Sequence, residues 1–113
     1  MISEKVVEAV DEHLDEKVSS VYKEQPLAQH WARVAKEKEE QGEAIAELIL
    51  ATGQNPRKPE DQAAYERLLD ELADRALTSI YAIQHFTKDT RVTREVLERC
   101  QKKHCMRLLG GMP

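Results

Sequence analysis

Apolar residues recur along this chain at the three- and four-residue spacing of an amphipathic helix, and no alternation of period two lasts long enough for a strand. Val6, Val7, Val10, Leu14, Val18 and Val21 share one face and predict a first helix over residues 3–23, with Ser3 as its N-cap. Pro26 ends that run or opens the next. A second helix is predicted over 27–52, with Leu27, Trp31, Val34, Ile45 and Ile49 as its core face and Gly53 as its C-terminal stop. The stretch 54–59 contains Pro56 and Pro59 and is the one clear loop. A third helix is predicted over 60–86, with Tyr65, Leu69, Leu72, Ala76, Ile80 and Ile83 facing the core. After Thr87-Lys88-Asp89-Thr90, a fourth runs over 93–109 and ends at Gly110-Gly111. Short links between long helices imply antiparallel neighbours. The expected fold class is all-α: a bundle of about four helices in a single domain over 1–113.

Composition narrows the classes of function. With 113 residues, 41% hydrophobic and 34% charged, the chain has the make-up of one globular domain. A net charge of −4 argues against a nucleic-acid partner, because neutralising phosphates needs a basic face. No apolar run approaches membrane-spanning length, and Met1-Ile2-Ser3-Glu4-Lys5 lacks a signal-peptide core, so a cytoplasmic protein without a membrane partner is expected. Cys100 and Cys105 are five apart, which points them away from each other on a helix, and ordinary reduced thiols are expected. His13, His30, His85 and His104 form no Glu-x-x-His pair, which argues against a di-iron bundle. No glycine-rich phosphate loop and no nucleophile–base motif is present.

The candidate chemistry is acidic. Glu40-Gln41-Gly42-Glu43 lies in the second predicted helix and Glu71-Leu72-Ala73-Asp74 in the third. Residues three apart project from one helix face, so each helix offers two carboxylates to one point. If the helices pack antiparallel, four hard oxygen donors meet, a set suited to magnesium or manganese. On the helical wheel, however, Glu40, Glu43 and Glu47 lie opposite the main apolar face, as on a solvated surface. Glu71 and Asp74 share their side with Ala63, Ala64, Thr78, Tyr81 and Ala82, interrupted by Arg67 and His85. Small residues beside acids indicate that this face meets the second helix or another subunit. Residue pattern alone leaves a metal cleft and a solvated or interface face both open. Like charges gathered in a half-buried cleft repel, so convergence requires a proton or a divalent cation.

The stretch His30-Trp31-Ala32-Arg33-Val34-Ala35-Lys36, continued by Glu39-Glu40-Gln41-Gly42-Glu43, resembles the MazG-like nucleotide pyrophosphohydrolases. Their signature is Glu-Glu-x-x-Glu followed, after a spacer, by Glu-x-x-Asp. Here 27 residues separate Glu43 from Glu71. Gly53-Gln54-Asn55-Pro56-Arg57-Lys58 is similar to the loop of one branch of that family, and the likeness covers roughly residues 30–86. The resemblance implies that Glu40, Glu43, Glu71 and Asp74 hold Mg2+ (Mn2+ as an alternative). It implies cleavage of a nucleoside triphosphate substrate between the α and β phosphates, yielding a monophosphate and pyrophosphate. Glu40 and Glu43 are the expected catalytic carboxylates; Glu39 or Glu40 can assist the attacking water. Lys36, Arg57 and Lys58 are candidate phosphate contacts, each also readable as a solvated cation. The family's C-terminal Lys…Asn…Arg pattern is reduced here to Lys102, Lys103 and Arg107, and Arg75 stands where relatives carry an apolar residue.

Trp31 and Tyr65 can stack on a base, but both lie on apolar faces and are expected in the core. So few long helices bury little surface alone, and a homodimer or homotetramer whose interface helps build the pocket is expected. The competing class is a non-catalytic helical interaction module.

Overall fold

The computed structural model describes residues 3–110; Met1, Ile2 and the expected terminator Gly111 lie outside them. Four helices follow in order: α1 (Glu4–Val21), α2 (Pro26–Ala51), α3 (Gln62–Thr87) and α4 (Thr90–Leu108). No strand occurs among the described residues. Local chemistry sets the ends. Pro26 occupies the first turn of α2, where its missing N–H goes unneeded. At the other end of α2, Gly53 adopts φ +68°; its N–H bonds Leu50 O and the next N–H, of Gln54, bonds Ile49 O. That pair of bonds is a Schellman stop, which favours glycine.

Asp61 caps α3 by accepting from the Ala63 N–H, so this helix starts two residues later than its apolar pattern suggests. Asp89 caps α4 by accepting from the N–H groups of Arg91 and Val92 and starts it at Thr90, three residues earlier than the periodicity indicates. Lys88, between these two helices, takes the left-handed conformation at φ 54°.

The α2–α3 hairpin is the centre of the fold, and α1 packs across both of its helices. Thr93 anchors α4 by donating to Gln84 Oε1 at 2.7 Å. Ile80 is partly covered where α1, α3 and α4 meet, beside Val7 and Leu97. In the hairpin the face of α3 with small residues beside its acids does meet α2, whereas the main apolar faces are not its core. The faces expected to form the core are exposed: Leu27, Trp31, Val34, Ile45 and Ile49 on α2, and Tyr65, Leu69 and Leu72 on α3. Trp31 is 68% exposed, so neither it nor Tyr65 is a core residue within one chain. What α2 and α3 press together is the side carrying Ala44, Ala64 and the acids; Ala44 is 3% and Ala64 0% exposed. Alanine lets two helix backbones approach closely, and charged neighbours reach across that narrow seam to pair.

Candidate metal centre and charged seam

Cross-helix pairs run along the seam. Nearest the hairpin loop, Arg67 Nε donates to Glu47 Oε2 at 3.0 Å and its Nη2 donates to Asp61 Oδ2 at 3.0 Å. Farther along, Arg75 Nε donates to Glu37 Oε1 at 2.7 Å. Beyond that, Arg33 enters the seam and its Nη2 donates to Tyr81 O at 3.0 Å. Each of these levels supplies a cation.

The level between Glu47–Arg67 and Glu37–Arg75 has no cation paired with its acids; Lys36, at its edge, pairs with Glu39 instead. There Glu40, Glu43 and Glu71 each place one carboxylate oxygen so that all three lie within 4.8 Å of one another. Glu71 Oε2 is buried and has no hydrogen-bond partner. Burial lifts the Glu40 carboxyl above the usual carboxylate value; the charges of Glu43 and Asp74 lift it further, against the opposing Lys36. Glu71 is raised in the same way, by burial first, then by the close approach of Glu43 and the charges of Glu43, Asp74 and Glu40. Two carboxyls this close can share a hydrogen bond only if one keeps its proton. The cluster therefore retains a proton or exchanges it for a cation.

Three of the four acids singled out in the sequence thus converge. Asp74 is exposed and outside the 4.8 Å group, although its charge reaches both Glu40 and Glu71. Glu39 turns away and accepts from Lys36 Nζ at 2.7 Å, which holds its carboxyl below the usual value. Lys36 is raised by that hydrogen bond and by the charges of Glu39, Glu40 and Glu43, so it stands at the edge of the cluster. Arg57 and Lys58 sit in the loop closing the hairpin, where the Asn55 side chain accepts from the Arg57 N–H. The loop starts beyond Ala51, roughly 12 Å along the helix from Glu43, with the Glu47–Arg67 pair between. The loop cations and the carboxylates are not in contact.

A second polar cluster was not evident in the sequence. Arg33, 4% exposed, sets Nη1 2.8 Å from Asp11 Oδ1 and 2.6 Å from Asp15 Oδ1. Lys88 Nζ pairs with both aspartates, at 2.7 Å from Asp11 Oδ2. His85 Nδ1 lies 2.9 Å from Asp15 Oδ1, and its Nε2 lies 2.8 Å from His30 Nδ1. The only sequence trace of this cluster is the i,i+4 spacing of Asp11 and Asp15. Asp11, Asp15 and His85 are close enough to hold an ion, but Arg33 and Lys88 stand within ion-pair distance of the aspartate oxygens, although Asp11 Oδ1 accepts no hydrogen bond. Two acids meet two cations there, and the cluster needs no metal.

Cys100 and Cys105 are both free thiols. No described helix is long and apolar enough to cross a membrane. No protein-family model, curated protein or solved structure matches this chain.

Proposed function

We propose that this chain is a magnesium-dependent nucleoside triphosphate pyrophosphohydrolase that cleaves between the α and β phosphates. The reading is supported most by Glu71, whose buried oxygen has no partner although it lies within 4.8 Å of oxygens of Glu40 and Glu43. Three carboxylates with no cation paired to them, flanked by levels whose acids are each paired, form a donor set of the hard-oxygen kind that Mg2+ or Mn2+ takes. The donors fit the group that the family likeness implies.

In this reading Glu40, Glu43 and Glu71 hold the cation, and Asp74 turns in from the rim to join them. When bound, magnesium supplies charge neutralisation of the phosphates and a more acidic water. The protein's own groups orient and bind. Glu40 or Glu43 accepts a hydrogen bond from the attacking water and fixes its line of approach. Lys36 exchanges Glu39 for a phosphate oxygen, a short swing for an exposed ammonium already facing the acids. Arg57 and Lys58 reach only an extended or displaced part of the substrate.

Assembly belongs to the same proposal. Leu27, Trp31, Val34, Ile45, Tyr65 and Leu69 lie exposed on two neighbouring helices. Each apolar side chain of this size contributes roughly 1.5–3 kcal/mol when covered. Several together match the roughly 4–15 kcal/mol that association costs in lost freedom. A second copy of the chain, giving a homodimer or homotetramer, covers them.

The exposed apolar face also favours the second reading, a non-catalytic helical interaction module. Pyrophosphate release from a panel of ribo- and deoxyribonucleoside triphosphates, with and without magnesium, separates the two. Equal yields of monophosphate and pyrophosphate, only with the cation, support the enzyme. A panel without any turnover overturns it in favour of the module.

A further inference from the structure

On α1, Val7 and Asp11 are buried and Val10, Leu14 and Val18 are half-buried. Its hold on the hairpin combines this partly covered apolar face with the polar cluster, in which Asp11 and Asp15 of α1 meet Arg33 of α2, His85 of α3 and Lys88 beyond it. His30 of α2 completes the set of titratable groups facing His85, and Phe86 packs at its ring edge. No charged group of α4 takes part in the described contacts of His85. Lys88 reaches the aspartates from a left-handed backbone, a conformation that persists where surrounding contacts fix it.

His85 Nδ1 lies 2.9 Å from Asp15 Oδ1, which can only accept, and 3.3 Å from Arg33 Nη1, which can only donate. The hydrogen is assigned to Nδ1, where it serves the shorter of the two contacts and donates to Asp15. His85 Nε2 then accepts from His30 Nδ1. With His85 neutral, two aspartates balance Arg33 and Lys88. A second hydrogen on His85 changes both features at once. It puts two N–H groups face to face across the 2.8 Å contact with His30 unless that ring changes tautomer, and it leaves three cations against two anions.

We propose that this cluster is an acid-sensitive clasp, in which protonation of His85 releases α1 from the α2–α3 hairpin. The electrostatics agree in direction. Burial pushes the His85 imidazole below its ordinary value, Asp15 opposes that, and the charges of Arg33 and Lys88 reinforce it. Asp15 resists the cost of burial through hydrogen bonds from Lys88 and His85 and stays below the usual carboxylate value, so it remains ionised while His85 titrates. A base with a lowered folded-state pKa stabilises the fold fully above its unfolded value of about 6.5, and that stability is lost as pH falls through the folded value. The clasp therefore loosens on the acid side of neutrality. It is independent of whether the glutamate cluster binds metal.

The test is amide hydrogen exchange on the full-length protein from about pH 8 to about pH 5, corrected for intrinsic rates, with imidazole NMR on the same samples. In wild type, α1 protection is expected to fall roughly tenfold or more relative to α3 as His85 titrates. His85→Asn keeps a donor toward Asp15 but cannot be protonated, and is expected to hold α1 across the range. Glu71→Gln is expected to leave the transition unchanged, which excludes the glutamate cluster as its origin. α1 protection that survives His85 protonation, a His85 still neutral at about pH 5, or equal release in His85→Asn overturns the proposal. If His85→Asn does not fold, the wild-type midpoints decide. Release tracking the His85 titration supports the clasp, and release at a different pH overturns it.

Discussion

Arg75 Nε donates to Glu37 Oε1 at 2.7 Å across the α2–α3 seam, one helical turn from the level at which Glu40, Glu43 and Glu71 meet with no cation paired to them. The contrast between those adjacent levels is between paired and unpaired acids. Arg67 does the same on the other side through Glu47. Both arginines are committed to their own acids.

The first prediction concerns stability without metal. Glu40 and Glu71 have raised carboxyl values, so the folded state holds protons more tightly than the unfolded chain. Their contribution is then favourable on the acid side and declines as pH rises from the ordinary value of about 4.3 through the folded values. Glu71→Gln removes that penalty. Its melting temperature without metal should exceed that of wild type at neutral pH, and the difference should shrink toward pH 4.5 or so. A variant less stable than wild type at every pH would show that the cluster is not under charge strain.

The second concerns the cation. Magnesium or manganese should raise the melting temperature of wild type, because a ligand that binds only the folded state stabilises it. Glu43→Gln and Glu71→Gln should lose most of the rise, whereas Glu98→Gln, on α4 and outside the cluster, should keep it. Identical responses in all four proteins count against a site at these acids.

The third concerns turnover. Glu40→Gln, Glu43→Gln, Glu71→Gln and Asp74→Asn should each lower pyrophosphate release by about 100-fold or more. Groups acting as one unit are non-additive, so the Glu43→Gln, Asp74→Asn double variant should be scarcely slower than either single one. Asp74 makes the sharpest test, since its carboxylate stands outside the three-oxygen cluster. Full activity in Asp74→Asn, with the other three inactive, would restrict the site to three carboxylates.

The fourth separates the phosphate contacts. Lys36→Ala should raise KM several-fold or more, because Lys36 already faces the acids. Arg57→Ala and Lys58→Ala should change it by no more than about twofold, since the loop lies roughly 12 Å along the helix from Glu43. The reverse order in measured KM values would place the triphosphate along the loop.

The fifth concerns the exposed face. Sedimentation at micromolar concentration should give a dimer or larger species, and Trp31 emission should shift to the blue as the protein is concentrated. Leu69→Glu should dissociate the assembly and return that emission to the red. A chain that stays monomeric, with Trp31 in water at all concentrations, rules out self-association through this surface.

Much of this protein was readable in its sequence because helix formation is local. The three- and four-residue spacing of Val6 through Val21, the prolines at 56 and 59, and Gly53 each act within a few residues of themselves, and the four helices follow from them. The small boundary shifts at Asp61 and Asp89 are local as well: a capping carboxylate sets the start independently of the apolar rhythm. The spacing of Glu40 with Glu43, and of Glu71 with Asp74, likewise placed two acids on one face of each helix.

Which face of α2 meets which face of α3 is a relation between elements, and only the tertiary structure decided it. Hydrophobicity assigned Leu27, Trp31 and Leu69 to the core; the fold leaves them exposed and buries Ala44 and Ala64, where small side chains allow close approach and arginines can reach opposing acids. Of the two placements the pattern left open for the acids, a solvated face or a cleft, the fold brings Glu40, Glu43 and Glu71 together, and Glu71 loses its water without gaining a partner. The clasp of Asp11, Asp15, Arg33, His85 and Lys88 joins residues far apart in the chain, so no sequence window contains it. Periodicity fixes how one helix divides its own surface, whereas charge pairing and steric fit between two helices determine which division is buried.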